Sequence, residues 1–170
     1  MKAFVKVTFL LLLLASLSAC GGGGGTAATA PVYTKAVVKI AITGVLPQGT
    51  MISGAGFTLA LPAGVTMATN NEGAVANGYV TPSGIFTTGT QTPPVYSQSE
   101  SPKTLKLALA SGSEAGENST GEIVTLFFDL APGIEPTIWS FALSDAAVID
   151  ATLYVAIPGL NLSVMSVSLQ

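Results

Sequence analysis

Residues 104–110 read TLKLALA, and this alternation constrains the fold more than any other feature of the chain. Leu105, Leu107 and Leu109 fall on one side, and Thr104, Lys106 and Ala108 on the other, which is the period of a half-buried strand. The same period recurs. In AVVKIAI (36–42) it groups Val38, Ile40 and Ile42, with Lys39 opposite. In AGFTLAL (55–61) it groups Phe57, Leu59 and Leu61, and in VTMAT (65–69) Val65 and Met67. EIVTLFFDL (122–130) is apolar on both faces, so a central strand covered on two sides is expected. IWSFAL (138–143), AVIDATLYVAI (147–157) and LNLSVMSVSL (160–169) read as closing strands. Residues 70–101 are rich in turn formers, with short strands expected near 78–81 and 85–87, and TPPVYSQSESP as the least ordered part. A short helical turn fits only near Glu114–Glu117. The expectation is an all-β chain, a single β-sandwich or jelly-roll-like domain of about eight or nine strands over residues 34–170.

What precedes this body is different in kind. Residues 1–19 carry Lys2 and Lys6, then an apolar run from Val7 to Leu14 broken only by Thr8, then small residues. That is the plan of an export signal, and the run is too short for a spanning helix. Leu17-Ser18-Ala19-Cys20 resembles the lipobox of bacterial lipoproteins. The resemblance implies that Cys20 receives a diacylglycerol, that the leader is cut before it, and that the new amino group is acylated. Cys20 is the only cysteine, so no internal disulfide is available, and a lone exported thiol is a liability unless it is consumed. Several acyl chains anchor stably where one is marginal, at about 0.8 kcal/mol per buried CH₂. Residues 20–33 then form a tether. GGGGGTAATA has nothing to pack, and ten such residues span roughly 17 Å r.m.s.. No second long apolar run follows. The body is expected to be soluble, held to the membrane through the N-terminal lipid, in the bacterial cell envelope and on the outer membrane.

Charge excludes some classes of partner and chemistry. Charged residues are 9% of the chain, and neither Arg nor His occurs. Beyond the leader, four lysines face nine carboxylates, so nucleic acid is not an expected partner. Without histidine there is no His-based triad and no common zinc site. Glu114, Glu117 and Glu122, and separately Asp145 and Asp150, are the carboxylates close enough in sequence to consider as glycosidase-type pairs; in polar loops such acids are ordinarily just solvated. SGSEAGENSTGE offers side-chain oxygens but lacks the order of a calcium loop. Neither catalysis nor a cofactor is expected.

Three segments carry a second resemblance: AVVKIAITGVLPQGTMISGAGFTLALPAGVTM, KTLKLALASGSEAGENSTGEIVTLFFDLAPG and SFALSDAAVIDATLYVAIPGLNLSVMSVSL. Their order of strands, glycine turns and polar loops is similar to that of a cohesin-type domain, a β-sandwich related in fold to several carbohydrate-binding modules. The resemblance covers residues 34–170 and implies capture of a partner rather than chemistry.

Two binding surfaces follow. VTMAT and TLKLALA are expected to share a sheet, on whose outward side Thr66, Ala68, Thr104, Lys106 and Ala108 make one flat, nearly uncharged face suited to an envelope or extracellular protein, because small side chains lose little entropy on docking. The alternative partner is a polysaccharide, which needs exposed rings. Tyr79 and Tyr96, in the turn-rich passage, are the exposed candidates. Trp139 is the best ring by type, with Tyr154 also behind it, although the parity of Trp139 with Phe141 and Leu143 places it in the core.

Overall fold

The computed structural model describes residues 31–170; the leader, Cys20 and nearly all of the tether lie outside the described residues. Strand β1 spans Lys35–Thr43 and β2 Ile52–Ala60. Short strands follow: β3 (Val65–Thr66), β4 (Val80–Pro82), β5 (Thr90–Gln91) and β6 (Val95–Ser97). Strands β7 (Thr104–Ala110), β8 (Glu122–Leu130), β9 (Ala142–Asp150) and β10 (Asn161–Leu169) complete the set. They form two five-stranded antiparallel sheets. The first runs β10-β1-β8-β3, with β4 also on β8; the second runs β5-β7-β2-β9, with β6 also on β7. The fold is therefore all-β, two sheets face to face and not closed into a barrel.

The alternation does what it promised for the long strands. Val38, Ile40 and Ile42 of β1, Phe57 and Leu59 of β2, Leu105 and Leu107 of β7, and Leu126 and Phe128 of β8 are all buried between the sheets. Each such side chain contributes about 1.5–3 kcal/mol by leaving water. β8 is central by pairing, with β1 on one side and β3 and β4 on the other. It is fully covered on both faces only at Ile123 and Val124, where the register with β1 slips between Ile40 and Ala41. Further along, Thr125, Phe127 and Asp129 are half-buried on the outer face.

The turn-rich passage departs from expectation. The first short strand forms, but residues 84–86 make a 3-10 turn instead of a second. The reason is Gly84, whose backbone is left-handed (φ +57°) and packs so tightly on β8 that a Cβ would collide with the Glu122 carbonyl. TPPVYSQSESP contains β6, paired to β7 with Tyr96 opposite Leu105.

The chain near Trp139 also differs. Residues 138–140 are a 3-10 turn with a capping box, in which the Thr137 N–H donates to Ser140 Oγ at 3.0 Å. The expected strands 138–143 and 147–157 are replaced by β9 alone, which ends at Asp150. The segment then turns back, with Asp150 N–H bonded to Val155 O (2.9 Å) and Ile157 N–H to Val148 O (2.8 Å).

The loops sort to two ends of the domain. At one, Ala151 N–H donates to Met51 O and Ile52 N–H to Glu117 O, both at 2.8 Å. At the other, joined to the first by the roughly 30 Å length of β1, Thr34 N–H donates to Gln170 O at 2.8 Å, so the chain enters the domain beside the end of β10.

Candidate functional site

Val65, Met67, Leu105, Leu107 and Leu109 are buried, as the alternation requires. The shared face expected outside them does not form. β3, with Thr66, pairs with β8 in the first sheet, whereas β7, with Thr104 and Lys106, lies in the second. The turn at Pro62–Gly64, where Val65 N–H reaches Pro62 O (3.2 Å), carries the chain from one sheet to the other. Periodicity assigns a residue to a face; it does not say of which sheet.

Lys106 and Ala108 do occupy an outer sheet face, and that face has relief. A shallow groove of about 310 Å³ lies over β2 and β7, floored by Gly56 and Ala108 and bordered by Thr58, Val95, Lys106 and Asp145. Lys106 stands between Thr58 of β2 and Val95 of β6 in register. Asp145 comes from β9 through a bulge. Gly56 pairs with Ala147 and Thr58 with Ser144, which leaves Asp145 and Ala146 opposite Phe57 alone. Asp145 takes a left-handed backbone there, φ 50°. Its Oδ2 accepts a 3.0 Å hydrogen bond from Thr58 Oγ1. A bulge at a sheet edge re-aims a side chain, and a non-glycine residue with positive φ stores strain that the surroundings must hold. Among the described residues neither Lys106 nor Asp145 is in an ion pair.

Several other carboxylates, and two lysines, are engaged in the scaffold. Glu122 is largely buried and accepts bonds from Lys39 Nζ (2.9 Å), Ser83 Oγ (2.6 Å) and Thr125 Oγ1 (3.0 Å). Burial works to raise its pKa, but the three hydrogen bonds outweigh that and hold the carboxyl below its ordinary 4.5. Asp150 Oδ1 caps the backbone N–H groups of Thr152 and Leu153, both at 2.6 Å. Glu117 accepts from Ser111 Oγ. Glu114 sits on the exposed loop between β7 and β8. Among the described residues no group of three metal-ligating side chains comes together, and no helix is long and apolar enough to cross a membrane.

The aromatic candidates separate in the opposite sense to expectation. Tyr79 is half-buried, and its hydroxyl lies 3.0 Å from Asp129 Oδ2 and accepts from Lys35 Nζ at 3.1 Å. Lys35 also pairs with Asp129, and these bonds, Asp129 first, raise its pKa. Tyr79 is thus tied into a network on the first sheet. Tyr96 is half-buried against the core, its hydroxyl without a partner among the described residues. Trp139, expected in the core, is 88% exposed. The 3-10 turn breaks the parity that linked it to Phe141, which alone turns inward to meet Phe128 with ring centroids 5.7 Å apart. Beside Trp139 a cleft of about 310 Å³ runs between Phe141, Leu143, Leu162 and Val164.

Tyr154, a lesser ring candidate within the expected strand 147–157, instead stands on a tip with Leu153 and Val155 that sequence reasoning missed; the three are 77%, 70% and 55% exposed. The available signal was Asp150 two residues before a threonine, an Asx-turn pattern at the end of an apolar run. Comparison with protein-family models, with curated proteins and with solved structures gives no match.

Proposed function

We propose that this is a non-catalytic, lipid-anchored protein of the bacterial cell envelope whose sandwich docks an envelope or extracellular protein on the outer face of the β7–β2–β9 sheet. The observation that carries the docking site is the pair Lys106 and Asp145. They border a groove floored by Gly56 and Ala108, and Asp145 is held there at the cost of a left-handed backbone. A small-residue floor admits close approach, while one cation and one carboxylate set register and exclude wrong partners. The anchoring part of the proposal rests on the charge–apolar–lipobox order that ends at Cys20. The resemblance to cohesin-type domains supports the same role, capture of a partner.

The test is recovery of a partner from envelope extract by the detergent-solubilised full chain. Lys106→Glu and Asp145→Ala should each lower recovery of the same partner at least tenfold. Thr66→Arg, on the other sheet, should leave it unchanged. Equal loss with Thr66→Arg, or none with the first two, rejects the site. The exposure of Trp139 favours a second reading, a polysaccharide-binding module, in which a sugar ring stacks on the indole. In that case Trp139→Ala abolishes binding to insoluble polysaccharide and Lys106→Glu does not.

A further inference from the structure

Three of the four sheet edges are blunted. The first sheet ends on one side in β3 and β4, two and three residues long, the latter containing Pro82. The second ends on one side in β5 and β6, equally short and separated by Pro93 and Pro94. Its other edge, β9, carries the Asp145 bulge and is covered near its end by the returning segment 155–157. These are the ordinary means of keeping an edge from pairing with another chain. The fourth edge, β10, is different. It is nine residues long and contains no charge, no proline and no glycine.

Which of its main-chain groups are free follows from the register. Lys35 and Gln170 exchange both main-chain bonds, Lys35 N–H to Gln170 O at 3.0 Å and Gln170 N–H to Lys35 O at 2.9 Å. Antiparallel pairs alternate between bonded and non-bonded. With Ala36 opposite Leu169, Val37 opposite Ser168 and Val38 opposite Val167, the N–H and C=O of Val167 and Leu169 point away from β1. Among the described residues β10 pairs with no other strand. The free run is bounded on one side by Met165, which the slip between Lys39 and Ile40 leaves without a residue opposite on β1.

We infer that residues 166–170, the end of β10 and the residue after it, pair antiparallel with the same residues of a second copy, about a two-fold axis through Ser168. The segment is self-complementary in this register. Val167 meets Leu169 of the second copy and Leu169 meets its Val167, so both outward-pointing residues exchange main-chain bonds. The two half-buried apolar side chains then cover each other on the inner face. Ser168 meets Ser168, and Ser166 meets Gln170, on the outer face. No like charges come together across the axis, so nothing opposes the isologous contact.

The two Ser168 residues form a non-bonded pair, with Cα atoms about 4.5 Å apart, within reach of a disulfide. The experiment is oxidative cross-linking of the full chain in cell membranes, read on a non-reducing gel. Ser168→Cys should give a reducible homodimer well above the background of wild type, which carries Cys20 alone. Ser163→Cys, on the same strand but beyond the bulge, should not. Adding Val167→Pro should lower the Ser168→Cys dimer at least tenfold. That proline removes an N–H that β1 does not use; because Val167 also packs against the core, unchanged circular dichroism verifies the fold. No dimer at 168, an equal dimer at 163, a dimer indifferent to Val167→Pro, or a cross-link from 168 to a different protein in place of itself would each overturn the inference.

Discussion

Lys39 Nζ lies 2.9 Å from Glu122 Oε2 across the β1–β8 pair, and the carboxylate, with only 16% of its side chain exposed, also accepts from Ser83 and Thr125. The folded state therefore favours ionised Glu122, whose pKa falls below 4.5. Its stabilisation is present in full above that ordinary value and is lost as pH falls through the lower folded one. Glu122→Gln should cost about 1.5–3 kcal/mol at neutral pH, the range for hydrogen bonds to a charged group. Thermal unfolding of both proteins against pH checks the sign. The gap between them should be constant at neutral pH and close below pH 4.5. At the alkaline end Lys35, raised by Asp129 and Tyr79, contributes below its ordinary 10.5 and is lost as pH rises through its higher folded value.

Asp150 gives a second prediction. It is 8% exposed and caps two backbone N–H groups at the start of the tip that presents Leu153 and Tyr154. Asp150→Ala leaves both donors unpaired, at a cost of about 1–3 kcal/mol. Asp150→Asn keeps an acceptor and should lose less. Because Leu153 and Tyr154 are exposed and suit chymotrypsin, the alanine variant should be nicked at this tip several-fold faster than wild type. Equal cleavage rates would mean that the cap does not hold the turn.

At Asp145 the backbone, not the side chain, sets the ranking. With φ at 50° a Cβ is disfavoured, by roughly 1–2 kcal/mol for an ordinary residue. Asp145→Gly removes that strain while losing the Thr58 hydrogen bond, so its stability should stay within about 1 kcal/mol of wild type. Asp145→Ala loses the bond and keeps the strain, and should be the less stable of the two. Urea denaturation of the two variants decides. Both should fail to recover the partner, which separates the carboxylate's binding role from its structural one.

Much of the sandwich was legible because burial and period coincide in strands such as TLKLALA, where one face of β7 is core and the other is not. The surfaces were legible only in part. Lys106 was correctly placed outward, but Thr66 could not be assigned to its sheet, since the crossing at Pro62–Gly64 leaves no trace in periodicity. Trp139 was misplaced because parity presumes a continuous strand, and the Thr137–Ser140 capping box interrupts it. Asp150 was read within a long strand, because AVIDATLYVAI is apolar throughout and only the Asx turn breaks it. The free edge of β10 depends on pairing order, which the pattern of one strand does not contain.

The anchor gives the last prediction. Lys2 and Lys6, the run to Leu14 and the box Leu17–Cys20 occur in the order that lipoprotein processing requires, and five glycines follow. If Cys20 carries the acyl chains, its thioether-linked diacylglycerol and its N-acyl chain together hold the body to the membrane; among the described residues no helix is long and apolar enough to cross one. Cys20→Ser removes the sulfur but leaves the apolar leader. The variant should then incorporate no labelled fatty acid and should leave the sedimenting membrane fraction as far as the uncut leader allows. Replacing the leader with one ending in a plain signal-peptidase site, again without Cys20, separates the two contributions. That form should be wholly soluble in the periplasm, with the same melting temperature as the lipidated protein, because residues 32–170 form a compact unit of their own. Fatty-acid labelling that survives Cys20→Ser, or membrane binding that survives leader replacement, would place the attachment elsewhere in the chain.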